Sequence, residues 1–202
     1  MKEILRLTLI LTAIAAISAG VLAFVSSKTE EPIKQALRAE KMVAVSNVLP
    51  SFDNEPDKDT LSVVTEDGER ELFYIGKKNG KVVGAAFEVI APDGYSGPID
   101  IMVGVDTAGV VTGVEILKYL ETPGLGAKVA TKEFRGQFKG KSIKNPDDWH
   151  VMKDGGIFRQ ITGATISSRA VTKAIARGLE FFDKHRAVVI GEGKIGSSGK
   201  GG

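Results

Sequence analysis

Glu71-Leu72-Phe73-Tyr74-Ile75-Gly76-Lys77-Lys78-Asn79-Gly80-Lys81-Val82-Val83-Gly84-Ala85-Ala86-Phe87-Glu88-Val89-Ile90 consists of two β-prone runs on either side of Asn-Gly. That dipeptide takes the positive φ angles of a tight turn, so the stretch predicts a hairpin over 71–90. A second hairpin is predicted from Ile99 to Tyr119, turning near Asp106-Thr107-Ala108-Gly109. Leu72, Val82, Ala86, Val89, Ile101, Val103, Val105, Val111, Val114 and Ile116 are the expected sheet core. A glycine-rich loop, Gly94 to Pro98, separates the two hairpins.

Downstream, Ala127, Ala130, Phe134 and Phe138 fall near helical spacing beyond Gly126. A stronger stripe, Ala170, Val171, Ala174, Ile175, Leu179 and Phe182, predicts a helix from Ser167. Ile157 to Ile161 is expected to add a short strand between these helices. Upstream, Thr29 to Val48 carries Ile33, Leu37, Val43, Val45 and Val48 among charges, with Pro32 early and Pro50 just beyond. It reads as an amphipathic helix packed on the domain, followed by a loop from Ser51 to Asp59. The fold class is therefore α+β: an antiparallel, hairpin-rich sheet with packed helices behind one N-terminal transmembrane helix.

The membrane segment is Leu7 to Val25, 19 consecutive uncharged residues. At helical rise they span about 28 Å, the thickness of a bilayer core. Lys2 and Arg6 precede the run, while Lys28, Glu30 and Glu31 follow it without positive excess. The positive-inside rule then keeps the N-terminus in the cytoplasm and places the rest of the chain outside it. A cleaved signal peptide is the competing reading, through small residues such as Ala15, Ala16, Ser18, Ala19 and Gly20, but the run exceeds a usual signal core. The expected division is an anchor at 1–28, a helix and linker at 29–60, an extracytoplasmic domain at 61–190 and a disordered Gly/Ser/Lys tail at 191–202.

Lys plus Arg number 27 against 25 Asp plus Glu, a net charge of +2 without long blocks of one sign, so nucleic acid is not an expected partner. With no cysteine, thiolate-held iron–sulfur clusters, haem attachment through C-x-x-C-H and disulfides are excluded, and a redox role needs an organic cofactor. His150 and His185 lack neighbours at metal-ligand spacing, and no metal site is expected. Trp149 reads as a packing anchor, and Asp147 and Asp148 are adjacent rather than facing. Neither a G-x-G-x-x-G fingerprint nor a phosphate-binding P-loop is present.

The chemistry concentrates in Gly155-Gly156-Ile157-Phe158-Arg159-Gln160-Ile161-Thr162-Gly163-Ala164-Thr165-Ile166-Ser167-Ser168-Arg169. Thr165 is expected just before or within the first turn of the last helix, where unpaired N–H groups and the positive dipole end favour a phosphate. Arg159, Arg169 and Lys173 lie near in sequence as further positive charge. A Ser/Thr-rich stretch ahead of a helix is first of all a capping sequence, and the residues alone favour that account.

Thr162-Gly163-Ala164-Thr165 resembles the flavinylation motif of the FMN-binding domain family, found in the G subunit of the Rnf electron transport complex and the C subunit of the sodium-translocating NADH:quinone reductase. Gly94-Tyr95-Ser96-Gly97-Pro98-Ile99 and Glu121-Thr122-Pro123-Gly124-Leu125-Gly126 are similar to the family's two glycine-rich loops, in the same order. The resemblance covers roughly residues 1–186 and is closer to the Rnf G subunit, since 202 residues leave no room for the insertions expected of the quinone reductase C subunit.

The resemblance implies FMN joined to Thr165 by a phosphoester, attached by a separate flavin transferase that uses FAD and Mg²⁺. It implies a cofactor cradle of Thr162, Gly163, Ala164, Tyr95, Ser96, Gly97, Glu121, Thr122, Gly124, Leu125 and Gly126. The chain is then a one-electron relay among the membrane subunits of an ion-translocating ferredoxin:NAD⁺ oxidoreductase, in the inner (cytoplasmic) membrane with its domain on the periplasmic side. It has no turnover of its own. The C subunit of the quinone reductase is the alternative within redox chemistry, and a non-redox membrane-anchored scaffold is the alternative outside it.

Overall fold

The computed structural model describes residues 1–64, 68 and 70–191, so the expected tail beyond Gly191 lies outside the described residues. The chain forms two compact units, the first Met1–Lys41 and the second beginning at Met42. The first is helical throughout: α1 runs without interruption over Lys2–Val48, with Pro32 inside it. No break in α1 marks the expected boundary at residue 28. The apolar side chains from Leu7 to Val25 lie at the surface, and α1 is the one described helix long and apolar enough to cross a bilayer.

The second unit is built on five antiparallel strands in sequence order: β1 (Thr60–Val64), β2 (Arg70–Lys78), β3 (Lys81–Ala91), β4 (Ile99–Asp106) and β5 (Val111–Lys118). Both predicted hairpins are present. Asn79 and Gly80 have φ of 51° and 74°, the primed turn that Asn-Gly adopts. At the second turn Asp106 Oδ1 accepts from the N–H groups of Ala108 and Val110, each at 2.9 Å. The edge strand β1, paired Thr60↔Tyr74 to Val64↔Arg70, was not expected. Its five residues alternate between exposed and half-buried, and none is fully buried.

One face of the sheet is covered by α3 (Thr165–Val189), which lies across β3 and β4. Phe182 is fully buried there, its ring centroid 6.1 Å from that of Phe87 and 6.2 Å from that of Phe73. The other face receives the end of α1: Ala44, Val45, Val48 and Leu49 close over Tyr74, Ala86 and Met102. Burial on both faces is why Phe73 to Gly76 are all buried and alternation fails to report the core. Ile101, Val103, Val105, Val111 and Val114 are buried as expected, but Leu72 is 41% exposed and Ala86 belongs to the α1 side. Within the predicted amphipathic stripe only Val45 and Val48 are buried, whereas Ile33, Leu37 and Val43 are exposed.

The seat of α1 is a trough of glycines. Gly76 pairs with Gly84 and Gly104 with Gly113 on neighbouring strands. A Cβ on Gly113 would lie 2.9 Å from Val48 Cα, one on Gly84 2.9 Å from Pro50 Cδ, and one on Gly104 would collide with the Val48 carbonyl. Thr112 Oγ1 donates to that carbonyl at 2.5 Å, satisfying an acceptor at the helix end. Glycine in a strand interior here marks close backbone approach.

The expected helix after Gly126 is two short pieces, a 3₁₀ turn at Gly126–Ala130 and α2 at Lys132–Gly136. Thr131 separates them as the N-cap of α2, its hydroxyl accepting from Phe134 N–H at 3.4 Å while donating to Lys128 O. The expected strand at 157–161 is only a single parallel bridge, Val151 to Phe158. Trp149 is a packing anchor, 3% exposed against Phe138 and Phe158, with Nε1 donating to Ser142 O at 2.9 Å.

Candidate cofactor site

Three chain segments meet at one end of the sheet. The antiparallel registers Ala91↔Ile99 and Asp100↔Lys118 put the end of β3, the start of β4 and the end of β5 side by side. The loops 92–98 and 119–125 therefore leave from the same edge, and the first turn of α3 lies against the second. Glu121 joins them: its Oε2 accepts the Ser167 hydroxyl at 2.9 Å and its Oε1 the Ser96 N–H at 3.3 Å.

The Thr162–Ala164 segment is a β-turn closed by Ala164 N–H to Ile161 O at 3.0 Å, with Gly163 at φ 81° in the position that requires glycine. The buried Ser168 hydroxyl fixes this turn to the helix, donating to Ala164 O at 2.9 Å and accepting Ile161 N–H at 3.0 Å. Thr165 is the first residue of α3 and Ala164 the N-cap, which makes no side-chain cap bond. Neither threonine of the motif is the cap, against the simplest sequence account. The first bond along α3 runs from Ser168 N–H to Ala164 O, so the N–H groups of Thr165, Ile166 and Ser167 precede the helical ladder.

Thr165, half-buried, opens onto a cleft of about 590 Å³ walled by Tyr95, Glu121, Thr122, Leu125, Gly126, Lys153 and residues 163–167. That size is ordinary for a cofactor-scale ligand. Tyr95, Leu125 and Ile166 offer exposed apolar surface, while the helix start and Lys153 offer donors and positive charge. These groups match FMN, which combines a flat aromatic ring with a phosphate.

The remaining expected site residues are placed differently. Thr162 faces a separate cleft of about 370 Å³ with Lys128, Thr131, Gln137 and Arg159. Ser96 contributes a backbone N–H, and Gly97 lies beside Leu120 rather than in the cleft wall. Gly124, at φ 77°, has open space where a Cβ would go, whereas one on Gly126 would strike Glu121 Oε2. Close packing therefore falls on Gly126. Ser167, Ile166 and Lys153 are additional wall residues, and for the first two the available signal was only their place directly after Thr165 in the sequence.

The three cations near the motif in sequence do not line this cleft. Arg159 is at the Thr162 cleft, Lys173 lies 3.6 Å from Asp93, and Arg169 holds Asp154 through two bonds of 2.6 and 2.5 Å. The Arg169 guanidinium lowers the Asp154 pKa, first by hydrogen bonding and then by charge. A carboxylate depressed in the folded state stabilises above its unfolded value of about 3.9 and ceases to as pH falls through the folded one. Arg169→Met is accordingly expected to lower the melting temperature at pH 7, and the gap from the parent should close below that depressed value. A gap of constant size down to about pH 2 would mean that Arg169 acts through packing alone.

Residues 1–48 match the RnfG N-terminal region and residues 94–180 the FMN-binding domain, the latter span containing every wall of the Thr165 cleft. The G subunit of the ion-translocating oxidoreductase complex of Aliivibrio fischeri strain MJ11 is 41% identical over 189 residues, covering 89% of this chain and 90% of the relative. This chain belongs to the RnfG family. The corresponding G subunit of Shewanella oneidensis MR-1 is 39% identical over 198 residues, with 91% and 92% covered. The RnfG-family fold seen here is also similar to the crystal structure of Shewanella oneidensis NqrC, at a TM-score of 0.50 and 18% identity over 73% of this chain and 72% of that one. The alternative raised from sequence, the C subunit of the quinone reductase, thus stands as a related fold.

Proposed function

We propose that this chain is a membrane-anchored flavoprotein subunit that carries FMN in phosphoester linkage on Thr165 and relays electrons within an Rnf-type ion-translocating ferredoxin:NAD⁺ oxidoreductase. The observation that carries the reading is the placement of one half-buried hydroxyl, Thr165, at the first position of α3 and in the wall of a cleft of about 590 Å³. The N–H groups of residues 165–167, helped by Lys153, hold the phosphate. Tyr95, Leu125 and Ile166 would offer the ring apolar surface. FMN supplies the one-electron chemistry. A tether keeps the cofactor at high local concentration in a compartment that cannot resupply it.

Thr162 and Gly163 are exposed and Thr165 is half-buried at the cleft, which leaves its hydroxyl within reach of a flavin transferase. Leu7–Val25 of α1 crosses the inner membrane, which supplies the apolar surroundings its exposed side chains need. The domain lies on the periplasmic side, and the neighbouring membrane subunits are its partners. The domain division proposed is an anchor at 1–28, a helix and linker at 29–60, an FMN-binding domain at 61–190 and a tail at 191–202.

The test is the intact mass of the full chain made with and without a flavin transferase and FAD. One FMN gained per chain only in the first case is the expected result, and no gain in either sinks the reading. Orientation is tested separately. A reporter active only outside the cytoplasm, fused after Arg186, is expected to work, and activity confined to a cytoplasmic reporter would reverse the topology.

A further inference from the structure

Glu121 is 5% exposed, yet it forms part of the wall of the Thr165 cleft. Each carboxylate oxygen accepts one bond, from Ser167 in α3 and from the N–H of Ser96 in the loop after β3. Three segments distant in sequence are therefore held through one side chain. The surrounding backbone is shaped to admit it. A Cβ on Gly126 would strike Oε2, whereas one on Gly94 would first strike the Gly97 carbonyl and only then approach Oε1, at 2.9 Å.

A neutral amide could make both bonds, accepting from Ser96 N–H and donating to the Ser167 oxygen. Burying a carboxylate instead costs more desolvation, so the charge calls for its own account. A fixed charge at a partly dry wall interacts strongly with charge that changes beside it. We infer that Glu121 is a positioning residue: its carboxylate clamps both glycine loops to the start of α3 and, as negative charge in the cleft wall, lowers the reduction potential of the flavin. The second half rests on the reading that this cleft holds FMN. Electron gain beside a negative charge is disfavoured, so removing the charge makes reduction easier.

The experiment uses the full chain made with a flavin transferase and kept in detergent. Glu121→Gln is expected to retain the flavin adduct and to shift the midpoint potential to more positive values than the parent's. Glu121→Ala, compared with its parent in a Thr165→Ala background free of flavin, is expected to speed amide exchange in residues 94–97 and 164–168. An unchanged potential in Glu121→Gln overturns the electrostatic half. Unchanged exchange overturns the clamp, and Ser167→Ala supplies the same exchange readout where Glu121→Ala does not fold. A parent chain without flavin mass sinks the cofactor reading instead, leaving the clamp to be decided by exchange.

Discussion

Thr165→Ala is expected to yield a folded chain with no covalent flavin at all. The substitution removes the hydroxyl through which the proposed phosphoester is made, so the loss is complete rather than graded. Stability should scarcely change, because Ala164 occupies the N-cap and Thr165 makes no cap bond; surface substitutions away from such features stay within about ±0.5 kcal/mol. Thr162→Ala is expected to differ in kind. Thr162 faces the neighbouring cleft, so its removal alters the shape of the turn offered to the transferase and lowers the adduct yield without abolishing it. Flavin fluorescence of the denatured band and mass spectrometry of the Thr165 peptide read both variants. A flavin adduct surviving on that peptide in Thr165→Ala would end the assignment, and a Thr162→Ala chain equally devoid of flavin would make the two positions indistinguishable.

Phe182→Ala should cost about 3–5 kcal/mol, the usual range for deleting a buried aromatic ring and leaving a cavity. Phe182 is 0% exposed and its ring clusters with those of Phe73 and Phe87, so α3 loses one of its buried contacts with the sheet. For a domain of this size such a loss is a large part of total stability. Denaturant unfolding of the detergent-solubilised chain measures it as a lower midpoint with an unchanged slope. A loss below about 1 kcal/mol would show that the site collapses around the missing ring and that α3 is held elsewhere.

The fold was legible where local chemistry decides it. Asn79-Gly80 fixed one turn, Asp106 to Gly109 the other, and the stripe from Ala170 to Phe182 the last helix. Legibility failed where distant segments decide. The strand Thr60–Val64 is only five residues long, and its place at the edge is set by pairing with β2 and by Leu61 and Val63 packing against the core. Spacing from Ala127 to Phe138 runs through Thr131, whose hydroxyl starts a new helix and so divides the one expected. Leu72 is exposed, while its neighbour Phe73, on the opposite face of β2, is fully buried under α3.

For the site, the motif and its loops were legible as types of residue, but their division of labour was not. Thr162 and Thr165 belong to one turn of chain yet face different clefts. Glu121 and Ser167 are 46 residues apart and share one hydrogen bond. Arg169, adjacent in sequence to the motif's serines, is turned away to Asp154, while Lys153 from the preceding segment lies in the cleft wall. No local pattern encodes those directions.

The glycine trough also bears on how the folded domain can be released from its anchor. Ala44, Val45, Val48 and Leu49 belong to the packed interior although they end a helix that begins in the apolar N-terminal segment. Protease cleavage before Met42 would spare them. A cut after Leu49 would strip the trough bare, exposing Tyr74, Ala86 and Met102 and converting a soluble product into one prone to self-association.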